Sequence, residues 1–352
     1  MKILYVNFNL ENARDKITLK SLRENNVDIV EIQDHTLGIG KYLNIARKVR
    51  SLQYDRDLVM VGYAGAVLVI LLWFITRKPL VYNTLSTFYD SMIVSRFGGR
   101  VLSPVSFYYY LMDFLAFRMA DVVFMESHAE KDLVVKIFKV DPKKISIYFV
   151  GADDNEFYFD PSVPKLDKFT VVFRGVFLPE AGANVAVRMA KELEKEGIAV
   201  RIIGRGLLQK EVEKLVDELK PNNLELITAK LSIEDLRAKM LECHISLGQL
   251  ARHPRVHRTI PHKAFESMAM KLPYLSGDNA GVKEILKDGE TCFTFPPGDY
   301  KALSEKILEL RNNYQECEQV AERAYELYQS RFNHNILGRQ MVEELASLIS
   351  RQ

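Results

Sequence analysis

Short apolar runs alternate along this chain with longer segments whose apolar positions recur every three or four residues, and the alternation starts at the first residue. ILYVNF (3–8) predicts a strand, the amphipathic segment from Asp15 to Asn25 a helix, and VDIVEI (27–32) a second strand. A long helical stretch from Pro104 to Met119 leads into ADVVFMES (120–127), and a helix over 129–138 leads into KISIYFVGA (144–152). Alternation of this kind specifies a parallel sheet with helices on both faces.

LVMVGYAGAVLVILLWFIT, residues 58–76, carries no charge and is about as long as a membrane-spanning helix needs. A spanning helix is one reading. The other splits the segment at Gly62 and Gly65 into a buried strand, 58–61, and a core helix, 66–75. Arg77, Lys78 and Pro79 then turn the chain into a strand over 79–83. Continuous apolar strands belong inside parallel sheets covered on both faces. The strand that follows at once favours the split.

The stretch 153–169 is polar, holds two prolines, lacks a period and reads as a linker. Alternation then resumes. Strands are expected at 170–177, 199–206, 224–228, 244–250, 273–277 and 292–296. Helices are expected at 184–196, 208–220, 233–242, 300–312 and 315–330, with an amphipathic segment at the end. The fold class is therefore α/β, with two Rossmann-like parallel-sheet domains, 1–160 and 161–332, facing a cleft. Ligands of open α/β sheets bind outside the carboxyl ends of the strands.

Composition narrows the function classes. Hydrophobic residues make up 48% and charged residues 27%, as in a soluble globular protein and not a disordered one. A net charge of +2 is too mild to make nucleic acid the main partner. Cys243, Cys292 and Cys317 are odd in number and lack metal spacing, which fits free thiols and a cytoplasmic location. MKILYVNF has no signal-peptide pattern. No G-x-G-x-x-G follows the first strand of either half, and no P-loop occurs, so dinucleotide redox chemistry and P-loop phosphoryl transfer lose ground.

The densest chemistry lies in RHPRVHRTIPHKAFESMAM, 252–270. Thr259 and Pro261 read as the start of a helix, on which Lys263 and Glu266 share a face. Cations there oppose the helix dipole unless an anion joins them. Arg258, Lys263 and the free amides would hold a diphosphate, and Glu266, a turn deeper, could accept hydrogen bonds from ribose hydroxyls. The plainer reading is a solvated turn in which Glu266 pairs with Lys263. A metal site from His253, His257 and His262 lacks an acid or cysteine at ligand spacing.

RTIPHKAFESMAMKLPYLSGDNAGVKEILKDGETCFTF resembles the donor-binding signature of family 4 glycosyltransferases, retaining enzymes of the two-domain GT-B fold, in the subgroup reading R-x-I-P-x-K-x-x-E. FVGADDNEFYFDP is similar to that family's interdomain segment, FRGVFLPEAG to its first glycine-bearing strand and loop, and RIIGRG to its G-x-G. STFYD (86–90) and ADVVFMESHAE (120–130) resemble stretches of its first domain, and 331–352 the helix that returns to that domain.

The resemblance implies a retaining transferase that moves a sugar from a nucleoside-diphosphate sugar to an acceptor, without cofactor or metal. Arg258 and Lys263 would neutralise the diphosphate, Glu266 would hold the ribose, and Gly175 would admit phosphate to backbone amides. Gly204 and Gly206 would also belong to the donor-binding set, and Asp278, Asn279, Ala280 and Gly281 would lie near the sugar. Two features depart from the family. Arg258 stands where many members carry a first glutamate, and Glu180 and Ala181 stand near the usual lysine. Arg174 is a candidate replacement cation. Asp90 and His128 are candidates for acceptor or sugar contacts, although each also suits a helix start. A silent donor-binding subunit or a sugar-nucleotide epimerase of the same fold are the alternatives. Arg77, Lys78, Arg96, Arg100 and Phe107 to Tyr110 would form a basic, aromatic surface suited to peripheral contact with an anionic membrane.

Overall fold

The computed structural model describes residues 1–97 and 102–350, so Arg100 of the expected basic surface lies outside the described residues. By its internal contacts the chain forms two compact units: Met1–Gly151 with His334–Gln352, and Ala152–Asn333.

In the first unit the chain runs β1 (Lys2–Val6), α1 (Ala13–Glu24), β2 (Asp28–Ile32), α2 (Gly40–Leu52), β3 (Leu58–Val61), α3 (Ala66–Trp73) and β4 (Leu80–Asn83). It continues through a helical turn, α4 (Ser95–Phe97), then α5 (Pro104–Met119), β5 (Val122–Met125), α6 (His128–Phe138) and β6 (Ile145–Ile147). The strands form one parallel sheet in the order β2-β1-β3-β4-β5-β6. Every residue of β3, β4 and β5 is buried, which explains their unbroken apolar runs. Asn12, Ser103 and Ser127 accept backbone N–H groups at the starts of α1, α5 and α6.

Residues 58–76 split into strand and helix as the two-glycine reading requires. Among the described residues no helix is long and apolar enough to cross a membrane. The apolar pattern predicts no element between residues 33 and 57, yet α2 lies there. Its buried stripe is only Ile45 and Val49, while Leu43 faces water, so the periodic signal is thin.

The second unit contains β7 (Thr170–Arg174), α7 (Ala183–Glu192), β8 (Ala199–Ile203), α8 (Gln209–Leu219), β9 (Leu224–Ile227), α9 (Ile233–Leu241) and β10 (Ile245–Leu247). Then come α10 (His262–Ala269), β11 (Tyr274–Gly277), α11 (Ala280–Lys283), β12 (Phe293–Phe295), α12 (Tyr300–Asn312) and α13 (Tyr314–Leu327). Its sheet is also parallel, in the order β12-β11-β10-β7-β8-β9. The chain winds outward from β7 in one direction and from β10 in the other, so the order reverses between these two strands.

The expected linker is in fact part of this unit, which begins at residue 152 and not at 161. Phe157 is buried with Val172, Ile203 and Met240. Lys165 Nζ donates to the carbonyls of Leu241 (2.8 Å) and Cys243 (2.7 Å). Ordering this polar stretch is offset by that buried ring and those charge-assisted bonds. The last helix, α14 (His334–Ser350), belongs to the first unit. Gly338 lets it approach the Ser21 carbonyl of α1, and Ser146 Oγ donates to Glu344 Oε1 at 2.9 Å.

Candidate functional site

Lys263 sits where the second sheet reverses its order. Its helix, α10, starts one residue after Pro261, which occupies the cap position and not the first turn. The side chain runs inward and is only 7% exposed. Nζ donates to the Gly248 carbonyl (3.0 Å), just beyond β10, and lies 4.3 Å from the centre of the Phe173 ring on β7. Gly175, just beyond β7, has φ +153°, and a Cβ there would lie 3.4 Å from Lys263 Nζ. Glycine adopts that backbone without the strain another residue would carry, and places no side chain beside the ammonium. The carboxyl ends of β7 and β10 thus converge on one amine, at the position where open α/β sheets bind ligands. Burial first, and the Arg174 guanidinium second, bring its pKa down to about 7, while Glu266 works in the opposite direction.

Glu266, one turn on, is also buried. The sequence suggested either ribose hydroxyls or Lys263 as its partner. Its partner is Arg174, whose Nη1 donates to both carboxylate oxygens, at 2.9 and 2.6 Å. The Arg174 side chain stays 25% exposed and also lies over the Phe157 ring, 5.3 Å from its centre. A charged carboxylate can accept about four hydrogen bonds, so capacity for a diol remains after the arginine is seated.

Two glycine-bearing loops stack behind Gly175. The Gly175 N–H donates to the Ile203 carbonyl and the Phe177 N–H to that of Arg205, each at 3.0 Å. A side chain at Gly204 would strike the Gly175 carbonyl, and one at Gly206 the backbone of Phe177. The turn therefore packs backbone on backbone. Asp278 and Asn279 lead from β11 into α11, where Asn279 Oδ1 caps the helix by accepting the Val282 N–H (3.0 Å) and Asp278 pairs with Lys283. Ala280 is exposed, and Gly281 packs against the carbonyls of Val256 and Thr259. This brings the start of α11 against the basic segment.

Within that segment Arg258 is half-buried and its Nη1 donates to the Pro254 carbonyl (3.2 Å). His253 Nδ1 accepts the Arg255 N–H (3.2 Å). Among the described residues no three His, Cys, Asp or Glu side chains gather as a metal would need. One pair here has no signal in the sequence. Arg255 forms an ion pair with buried Glu180, near the position where the family resemblance led one to look for a lysine. Residues so far apart in the chain give no periodic or spacing signal of such a pair.

Asp90 and His128 lie in the other unit, beyond the carboxyl ends of the adjacent strands β4 and β5. Asp90 is buried, and its N–H donates to Thr87 Oγ1 (2.8 Å). His128 is exposed and opens α6, capped by Ser127.

Residues 154–327 match the family model of the glycosyl transferases group 1. The chain is 21% identical over 359 residues to the capsular polysaccharide biosynthesis glycosyltransferase CapM of Staphylococcus aureus, covering 94% of this chain and 91% of that protein. It is 25% identical over 177 residues to the alpha-D-kanosaminyltransferase of Streptomyces kanamyceticus, covering 50% of this chain and 45% of that one. For most of these curated relatives, the chain spans about half of their length. Among solved structures, HepE of Anabaena in complex with UDP and glucose superposes with a TM-score of 0.77 at 18% identity, covering 99% of this chain and 100% of that one. The sucrose-phosphate synthase of Thermosynechococcus elongatus gives 0.80 at 14% identity over the whole of both chains. The fold is therefore the α/β, two-domain Rossmann-like fold of these transferases, and the sequence likenesses support a glycosyltransferase of the same superfamily.

Proposed function

We propose that this chain is a retaining glycosyltransferase that moves a hexosyl group from a nucleoside-diphosphate sugar to an acceptor. The observation that carries the reading is the buried Lys263 ammonium, facing side-chain-free Gly175 at the reversal point of the second sheet. Breaking the donor's glycosidic bond leaves charge on the departing diphosphate. A cation already desolvated at that point lowers the barrier, because it acts in a low dielectric and needs no reorganisation. Lys263 is the proposed catalytic cation, with Arg258 as a second contact to the diphosphate. Glu266, held in place by Arg174, takes the ribose hydroxyls. Gly175, Gly204 and Gly206 keep the phosphate turn narrow, and residues 278–281 lie at the sugar.

The second unit would then be the donor side. The first, with Asp90 and His128, would be the acceptor side, in the cytoplasm and with peripheral contact to an anionic membrane. HepE has been crystallised with UDP-glucose, which makes uridine donors the first to try. The relatives named above are transferases, so neither the silent-subunit nor the epimerase alternative gains from them.

The test is a thermal-shift panel of nucleotide sugars, followed by calorimetry and a turnover assay with the best binder. A ligand present at a hundred times its Kd stabilises the folded state by about 2.7 kcal/mol. A shift with at least one donor, lost in Lys263→Ala, is the expected result. No shift with any nucleotide sugar would remove the proposal.

A further inference from the structure

The surface of the first unit has a charge pattern that the transfer reaction does not use. From His35 to Met112 the chain carries nine Lys or Arg residues (41, 47, 48, 50, 56, 77, 78, 96 and 100) but only three acids, Asp55, Asp57 and Asp90. Asp90 is buried, and Asp55 pairs with Lys2. The helices from this region, α2, α3 and α5, pack in sequence, with α3 touching both of the others. These helices and the residues that cap them also hold many of the exposed large apolar side chains, among them Ile39, Leu43, Trp73, Phe74 and Phe107.

Between the end of α2 and the turn after α3 this surface opens into a groove of about 460 Å³. Arg47, Arg50 and Arg77 line it together with Leu43, Tyr54 and Phe74. The three arginines are exposed, and among the described residues none of them forms an ion pair. Gln53 builds the floor. It is buried, its Oε1 accepts the Arg77 N–H (3.1 Å), and its Nε2 donates to the Ile75 carbonyl (3.5 Å). The groove lies beside the chain segments that enter β3 and β4, at the amino ends of those strands. Ligands of such sheets bind at the other end. This is therefore not the acceptor subsite; the inference rests on the peripheral membrane contact proposed above and not on the donor assignment.

We infer that this groove seats the phosphate headgroup of an anionic membrane lipid, with α2 and the end of α3 lying on the bilayer surface. Unpaired arginines supply planar, bidentate phosphate contacts. Trp73 and Phe74, in edge-to-face contact at 4.9 Å, are amphipathic or apolar rings of the kind that rest at the headgroup boundary. A protein partner of ordinary charge would not account for a face that is both rich in unpaired arginine and aromatic-rimmed, with Asp55 already held by Lys2 and Arg56. An anionic lipid surface meets both properties.

The whole protein supplies its own probe, since Trp73 is its only tryptophan. Vesicles of phosphatidylcholine alone and with phosphatidylglycerol are floated with the full chain at low and high salt, while tryptophan emission is recorded. Binding to the anionic vesicles only, weakened by salt, with a blue shift of emission, is the expected result. Each basic residue at an anionic surface adds about fivefold to partitioning, so Arg47→Gln/Arg50→Gln/Arg77→Gln should lower it by about a hundredfold. Matching circular dichroism and melting temperature would show that the variant is folded, and the salt arm tests the wild type without any substitution. Binding to neutral vesicles as strong as to anionic ones would overturn the inference. So would flotation of the triple variant equal to that of the wild type, or no flotation at low salt.

Discussion

Arg174 on β7 and Glu266 on α10 form an ion pair, with one guanidinium nitrogen 2.9 and 2.6 Å from the two carboxylate oxygens, although the residues lie far apart in the chain. It ties the end of the sheet's central strand to the helix that carries Lys263. The arginine is a quarter exposed, so the pair is worth less than a fully buried one.

Removing one partner should cost more than removing both. Arg174→Ala leaves a buried carboxylate short of a charge-assisted bond, a loss of about 1.5 kcal/mol, the low end for such bonds. Glu266→Ala leaves the arginine more able to reach water, so its cost is smaller. The double variant should fall short of the sum by at least 0.5 kcal/mol, roughly the smallest coupling seen between residues in contact. Chemical denaturation of the four proteins measures this. Strict additivity would mean that the pair does not couple.

Substitution of Lys263 should separate function from folding. Lys263→Met keeps the length and apolar stem but removes the charge. Donor diphosphate affinity or turnover should then drop about tenfold to a hundredfold, the value of a charge-assisted hydrogen bond of roughly 1.5–3 kcal/mol. Stability should hold or rise, because a desolvated charge is removed. Calorimetric titration with the nucleoside diphosphate, beside the melting curve, checks both. Unchanged affinity in a folded variant would dismiss Lys263 from the donor site.

The alternation of apolar runs and amphipathic segments made the two sheets legible, because a strand covered on both faces must be apolar throughout, as β3, β4 and β5 are. The helix of Lys263 and Glu266 was legible from its motif. What sequence could not supply was partner choice. Helical spacing offered Lys263 as the neighbour of Glu266, but the fold delivers Arg174 from another element, and Glu180 similarly meets Arg255. Residues 153–169 read as a linker because polarity and prolines hide the single buried ring of Phe157. Helix α2 went unseen because a basic face with exposed Leu43 weakens its period.

Activity should survive chelators. The diphosphate charge is assigned to Lys263, Arg258 and backbone amides, so no divalent ion is needed to carry it. Turnover in excess EDTA should stay within about twofold of the untreated rate, a difference of under 0.5 kcal/mol in the barrier. Loss of turnover that a divalent metal restores would return His253, His257 and His262 to consideration.

The pH dependence of donor binding follows from the same lysine. Burial and Arg174 hold its pKa near 7 in the folded protein, against about 10.4 in an unfolded chain. Below pH 7 both states keep the proton, and the folded state bears the full cost of the buried charge. From pH 7 to about 10.4 the unfolded chain binds more protons, so this group's contribution to stability rises with pH. Diphosphate binding runs the other way, because it needs the ammonium form. Above pH 7 affinity should fall by up to about tenfold per pH unit, and binding should take up a proton from buffer. Nucleoside diphosphate titrated at about pH 7 to 9 stays above its own second ionisation, near 6, so its charge is constant over the range. Calorimetry in two buffers of different ionisation enthalpy measures the proton directly. Lys263→Met should abolish both the uptake and most of the slope. A flat affinity profile with no proton uptake in the wild type would show that the ammonium does not meet the diphosphate.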